Sequence, residues 1–212
     1  MLDLSDLSTA IIDGDRDRAC ALVQAALNQG AAPDDLVNRW MIPAMGEVGA
    51  RFERQEYFVP EMLLSARAMQ AGLALLRPLL AQLGVQPLAT VVIGTVRGDL
   101  HDIGKNLVAM MLEGAGFRVV DLGVDVRPER FIQAVVEHNA EILGLSALLT
   151  TTMPEMETVV RAVNGAGLRP RVKILIGGAP VTARYAAQIG ADGCGENARA
   201  AVGLARSVLH LQ

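Results

Sequence analysis

The chain has 212 residues, 51% of them hydrophobic and 20% charged, with a formal net charge of −4. That is a globular composition, and with no block of Lys or Arg it points away from nucleic acid or an anionic membrane as the main partner. Two cysteines are too few for a disulfide framework, no apolar run reaches the roughly 18–20 residues of a membrane span, and the acidic N-terminus lacks the order of a signal peptide, so a cytoplasmic protein with reduced thiols is expected.

Up to about residue 85 the sequence reads as helix alone. "DRDRACALVQAALNQG" carries apolar residues at helical spacing and stops on Gly30. Pro33 fits the first turn of a helix through "DDLVNRWMIPAMGEVGARFERQ", with a kink or break expected near Pro43. Pro60 opens another, "EMLLSARAMQAGLALLRPLLAQL". Four helical segments joined by short connections predict a small antiparallel bundle. "GVQPLA", residues 84–89, reads as a linker and a hinge. The expected domains are therefore a helical one over 1–85 and a second over 86–212.

The second half changes rhythm. "TVVIGTV", "FRVVDLGV", "EILGLSAL" and "VKILIGG" are short apolar, β-branched runs, each followed by a helix-compatible stretch, and "ADGCG" is a weaker fifth. Apolar strands alternating with helices predict an α/β fold: a flavodoxin- or Rossmann-like doubly wound parallel sheet of five strands. Ligands bind such sheets beyond the carboxyl ends of the strands, which directs attention to the loops starting near Gly94, Gly123, Ser146 and Gly177.

The first of these loops is "GTVRGDLHDIGKN", residues 94–106. Its glycines fall at 94, 98 and 104, which fits neither the dinucleotide fingerprint nor the phosphate-cradling P-loop. Asp99, His101 and Asp102 are metal-ligand types, but a closed zinc site needs further His or Cys, and His138 falls on an expected surface helix and His210 near the terminus, which makes them poor recruits. A lone loop histidine is most often merely solvated. Here, however, Asp99 stands two residues away and can accept the second ring N–H, fixing the tautomer of an imidazole that ligates a metal. One protein ligand suits a metal that arrives inside a macrocycle, and Gly94, Gly98, Gly104, Ser146, Gly177 and Gly178 supply the small residues such a bulky group requires.

"GDLHDIGKN" contains the D-x-H-x-x-G motif of cobalamin-binding domains, and "GLSALLTTTMPEM" and "IGGAPVT" resemble that family's second and third signatures. "MGEVGARFERQEYFVPEMLLSARAM" resembles the helical cap of corrinoid methyl-carrier proteins. The chain thus resembles the corrinoid proteins of methylamine- and methanol-type methyltransferase systems, and is similar to the cobalamin-binding module of methionine synthase. The resemblance implies a cobalamin whose benzimidazole tail is displaced from cobalt (base-off, His-on), with His101 as the axial cobalt ligand. Asp99 is then its hydrogen-bonded partner and Thr152 the next member of the relay. It further implies that Gly98, Leu100, Asp102, Ile103 and Gly104 contact the cofactor around His101, whereas Lys105 and Asn106 are expected on the first helical turn, only near the corrin's amide side chains. Ser146, Leu148 and Thr150 match residues of the tail pocket, Gly177 and Gly178 let backbone approach the nucleotide, and Ala198 is a further contact. Cys194 departs from the family, where an aromatic is common.

Two cysteines cannot hold an iron–sulfur cluster, and the chain has no room for a mutase barrel. What the resemblance implies is a methyl carrier. It accepts a methyl group on Co(I) from a donor held by a substrate-specific methyltransferase. It then passes the group from methyl-Co(III) to an acceptor methyltransferase using a folate or a thiol, with a reductive activation protein as a third partner. Such a chain is a carrier subunit rather than a stand-alone enzyme. The alternatives are a cobalamin-binding regulatory or storage module and a flavin-dependent electron carrier.

Overall fold

The computed structural model describes residues 3–211. By internal contacts the chain divides into two units. One runs to Pro87 and includes Glu113–Gly116; the other comprises Leu88–Leu112 and the chain from Phe117 onward.

The first unit is helical: α1 (Ser5–Ile12), α2 (Arg16–Asn28), α3 (Pro33–Asp35), a π-helical turn (Leu36–Met41), α4 (Ile42–Glu53) and α5 (Val59–Gln82). Asp15 caps α2 by accepting from the Arg18 amide, and Pro33 starts α3 where its missing N–H costs nothing. The kink expected at Pro43 takes the form of the π-helical turn before it, where the Ile42 amide donates to the Val37 carbonyl five residues back. A proline ring in a helix interior collides with the carbonyl four residues earlier, and the one-residue slip relieves that collision. Leu7, Ile11, Val23, Leu36, Met41, Met62, Met69 and Leu76 are buried in this unit. Gly72 lets α5 come close to its neighbours, since a Cβ there would stand 2.9 Å from the Met41 terminal methyl.

The second unit alternates strand and helix: β1 (Thr90–Thr95), α6 (Ile103–Gly114), β2 (Arg118–Asp121), α7 (Pro128–Glu137), β3 (Ile142–Ser146), α8 (Met153–Gly165), β4 (Lys173–Gly177), α9 (Ala183–Ile189), β5 (Gly193–Gly195) and α10 (Ala198–Val208). All strand pairs are parallel, in the order β2-β1-β3-β4-β5. β1 is buried along its whole length, as a central strand covered on both faces must be, whereas edge strand β2 is only partly covered. Alternate residues of the strands meet α7, α8 and α9 in one core: Val92, Leu143 and Ile174 with Phe131, Val135, Met156, Val160 and Ile189. "ADGCG" does form the fifth strand, and its glycines matter because Leu204 and Ala201 of α10 lie directly against Gly193 and Gly195. No described helix is long and apolar enough to cross a membrane.

The register brings Thr95, Ser146, Gly177 and Gly195 into one row across the carboxyl ends of β1, β3, β4 and β5. Strand order reverses between β1 and β3, so the loops following Thr95 and Ser146 flank the crevice where doubly wound sheets take their ligands. Gly94, one residue before that row, lies under the Phe131 ring, and a Cβ there would stand 2.7 Å from Cε1. Gly94→Ala should therefore destabilise the protein by about 1–3 kcal/mol through overpacking, measured as a lowered urea midpoint at unchanged slope; an unchanged midpoint would show that the ring has room to shift.

Candidate functional site

The loop from Val96 to Asp102 joins β1 to α6, and its centre is the Asp99 carboxylate, which has no exposed surface. One oxygen, Oδ1, accepts from the His101 amide at 3.1 Å and lies 2.8 Å from His101 Nδ1. The other, Oδ2, accepts from the amides of Leu148 at 2.8 Å and Leu149 at 3.3 Å, and from the Thr152 hydroxyl at 2.6 Å. Thr152 Oγ1 also lies 2.9 Å from the Leu149 carbonyl. Its single proton goes to the carboxylate, because a charge-assisted bond is the shorter and stronger of the two. Thr152 immediately precedes α8, so the anion sits beside that helix's amino end, where the dipole favours negative charge.

Burial is the largest single influence on Asp99 and opposes its ionisation. The Thr152 hydroxyl, the Leu148 and His101 amides and the imidazole together outweigh it and hold the carboxyl well below its ordinary range. An ionised Asp99 can only accept, so His101 Nδ1 carries a proton, and in the neutral imidazole Nε2 keeps its lone pair. Nε2 has no hydrogen-bond partner among the described residues, and half of the imidazole is exposed. Leu100 on the same loop, Ile103 at the start of α6, and Leu148 and Leu149, whose amides reach Asp99, are exposed apolar side chains. Thr95, fully buried, donates its hydroxyl to the His101 carbonyl at 2.9 Å and ties the loop to the end of β1.

Of the residues singled out in the sequence, Asp99, His101, Leu148 and Thr152 are in direct contact. Gly98 takes a positive φ of 78°, which turns the chain back toward Asp99. Gly178, with φ 133°, has no space for a side chain, because a Cβ would overlap the Ala147 carbonyl oxygen. Gly177 ends β4 beside Ser146, and Gly104 opens onto space on the first turn of α6. Asp102 turns to Asn106, accepting from its side-chain amide at 3.0 Å. Thr150 is exposed in the turn before α8, and Ala198 is buried at the start of α10; neither bonds to Asp99 or His101.

Lys105 lies on the first turn of α6, as expected. It is 3% exposed and its ammonium donates to Asp121 Oδ2 at the end of β2 and to Asn106 Oδ1, so it is consumed inside the fold rather than offered to a ligand. A buried ammonium needs such partners, and Asp121 provides a full charge. Thr95, Leu149, Asp121 and Asp125 were not singled out from the sequence. Their parts depend on distant backbone positions, and no short motif signals them.

The group the sequence points to, a macrocyclic cobalt, can be tested against this donor set. One open imidazole nitrogen, fixed in tautomer, stands among exposed apolar side chains at the end of a sheet whose carboxyl row is Thr, Ser, Gly and Gly. Among the described residues no group of three or more His, Cys, Asp or Glu side chains gathers to hold a bare ion. The residues fit a metal that brings its own equatorial ligands.

Asp99→Ala would take away the acceptor of the Leu148 and His101 amides and of the imidazole N–H, and leave the Thr152 hydroxyl only the Leu149 carbonyl, at about 2–4 kcal/mol. A depressed carboxyl stabilises the fold above its unfolded value of about 4 and loses that contribution as pH falls from there through the lower folded value. Urea midpoints should thus differ most between wild type and Asp99→Ala at neutral pH and converge in acid. A constant difference down to pH values where carboxylates protonate would contradict this assignment.

Comparison with known proteins agrees with this geometry. Residues 89–203 match the B12 binding domain family, and residues 4–77 match a second family description of the same name. The chain is 42% identical to the dimethylamine corrinoid protein of Methanosarcina barkeri, over 97% of each chain. Among solved structures it superposes on a cobalamin-binding protein from Desulfitobacterium hafniense with a TM-score of 0.79 and 34% identity, over the whole of both chains. It also superposes on the methanol:cobalamin methyltransferase complex of Methanosarcina barkeri with a TM-score of 0.86 and 31% identity, covering 98% of this chain and 80% of that one. A helical unit, a five-stranded parallel sheet and the Asp99–His101 pair at its carboxyl edge thus go with full-length similarity, and the chain belongs to the B12-binding corrinoid proteins.

Proposed function

We propose that this chain is a corrinoid methyl carrier, holding cobalamin through His101 and shuttling a methyl group between two methyltransferases. The observation that carries the reading is the His101 imidazole, bound through Nδ1 to a buried, ionised Asp99 and open at Nε2. When bound, the corrinoid supplies a cobalt that takes up and gives away a methyl group. The protein's own residues do the rest.

Asp99 holds the proton on Nδ1 and so would keep Nε2 available to hold the cobalt, while Thr152 and the Leu148 amide hold Asp99 in place. Leu100, Ile103, Leu148 and Leu149 offer apolar surface to a macrocycle. Ser146 and Gly177, the bare backbone at Gly178, and Thr150 and Ala198 would take the displaced tail, while Gly98, Asp102 and Gly104 would contact the cofactor around His101.

The relatives support a methyltransferase partner. One is a dimethylamine corrinoid protein and another structure is a methanol:cobalamin methyltransferase complex. The donor is bound by the partner, so a substrate-specific methyltransferase, an acceptor methyltransferase and a reductive activation protein are the three partner classes in this reading.

Wild-type protein incubated anaerobically with hydroxocobalamin and desalted should retain the cofactor with an absorption spectrum showing the tail displaced. His101→Ala, folded by circular dichroism, should show different axial ligation and bind at least about tenfold more weakly. A folded wild type that retains no cobalamin would end the reading, and identical spectra for the two proteins would remove His101 from cobalt.

A further inference from the structure

The Asp99 carboxylate fixes the histidine loop from the β3–α8 side. A separate hold comes from the connection between β2 and α7. There Asp125 accepts from the Gly98 amide through Oδ1 at 2.7 Å, and its own amide donates to the Asp99 carbonyl at 3.0 Å. The next residue, Val126, pairs with Val96 and donates to the Thr95 carbonyl at 3.0 Å, so this segment runs alongside the start of the histidine loop. Asp125 does this in the left-handed region, with φ 53°, which few side chains tolerate and Asp tolerates better than most. An exposed residue in an unfavoured conformation whose carboxylate and amide both grip one loop is not required by the core.

We infer that Asp125 is a positioning residue for His101, its carboxylate pinning the Gly98 amide so that the Asp99–His101 pair stays aimed at the ligand crevice. Gly98 has a positive φ and no side chain, so without this acceptor its own amide is unheld and only the bonds of the neighbouring Asp99 limit its sampling of other conformations. Each departure moves Asp99 and His101 with it. Binding through His101 then weakens in proportion to the fraction of molecules whose loop remains competent. The inference rests on the proposed binding of cobalamin through His101.

Two variants separate the bond from the backbone. Asp125→Asn keeps an oxygen acceptor and accepts the left-handed conformation, whereas Asp125→Gly keeps the conformation and deletes the acceptor. Two readouts are needed: amide hydrogen exchange at Gly98 in cofactor-free protein, and the dissociation constant for hydroxocobalamin. Asp125→Gly should exchange about tenfold faster at Gly98 and bind about tenfold more weakly, and Asp125→Asn should stay within about threefold of wild type in both. Wild-type behaviour of Asp125→Gly in either readout overturns the inference, as does an Asp125→Asn variant as impaired as Asp125→Gly. If wild type itself binds no cobalamin, the functional reading fails, and Gly98 exchange alone then shows whether Asp125 holds the loop.

Discussion

A carboxylate with no exposed surface is costly to fold unless each oxygen is met by donors, and Asp99 is met from two loops at once. The β1–α6 loop supplies the His101 amide and imidazole; the β3–α8 loop supplies the Leu148 and Leu149 amides and the Thr152 hydroxyl. That single anion therefore locks the two loops that flank the reversal of strand order, and it decides which nitrogen of His101 faces outward. If Asp99 were neutral, the tautomer would be free and the loops would lose their shared anchor.

The order of the sheet makes this meeting possible. β1 and β3 are neighbours although β2 lies between them in sequence, so residues about fifty positions apart arrive at the same carboxylate. Parallel pairing also brings all the strand ends to one edge, where Ser146 and Gly177 stand beside the loops and Gly178 has backbone with no space for a side chain. A bulky planar cofactor needs that combination: one directional bond, apolar surface and backbone it can approach closely.

Much of this was legible in the sequence because it is local. Two-residue spacing between Asp99 and His101 is a turn-sized contact, and the alternation of β-branched runs with helical stretches implied the parallel sheet. Thr152 became legible only through the resemblance of "SALLTTTMPEM", since fifty residues separate it from its partner. The Leu148 and Leu149 amides were illegible because every residue carries an amide and nothing marks the ones a buried anion will use. The burial of Lys105 was illegible for a related reason. A lysine on a first helical turn is ordinarily solvated, and only the placement of Asp121 at the end of β2 makes burial tolerable. The π-helical turn before Pro43 was foreseen as a disturbance but not in form, because proline announces a conflict without stating how the helix resolves it.

The central claim is that a histidine nitrogen of this chain, and not the cofactor's own base, holds cobalt. Electron paramagnetic resonance of the Co(II) form tests it directly when the protein carries 15N-histidine and the cobalamin is unlabelled. An axial nitrogen splits the cobalt lines into triplets if it is 14N and doublets if it is 15N. Doublets are predicted, collapsing in His101→Ala; triplets unchanged by the labelled histidine would place the benzimidazole on cobalt and contradict the account.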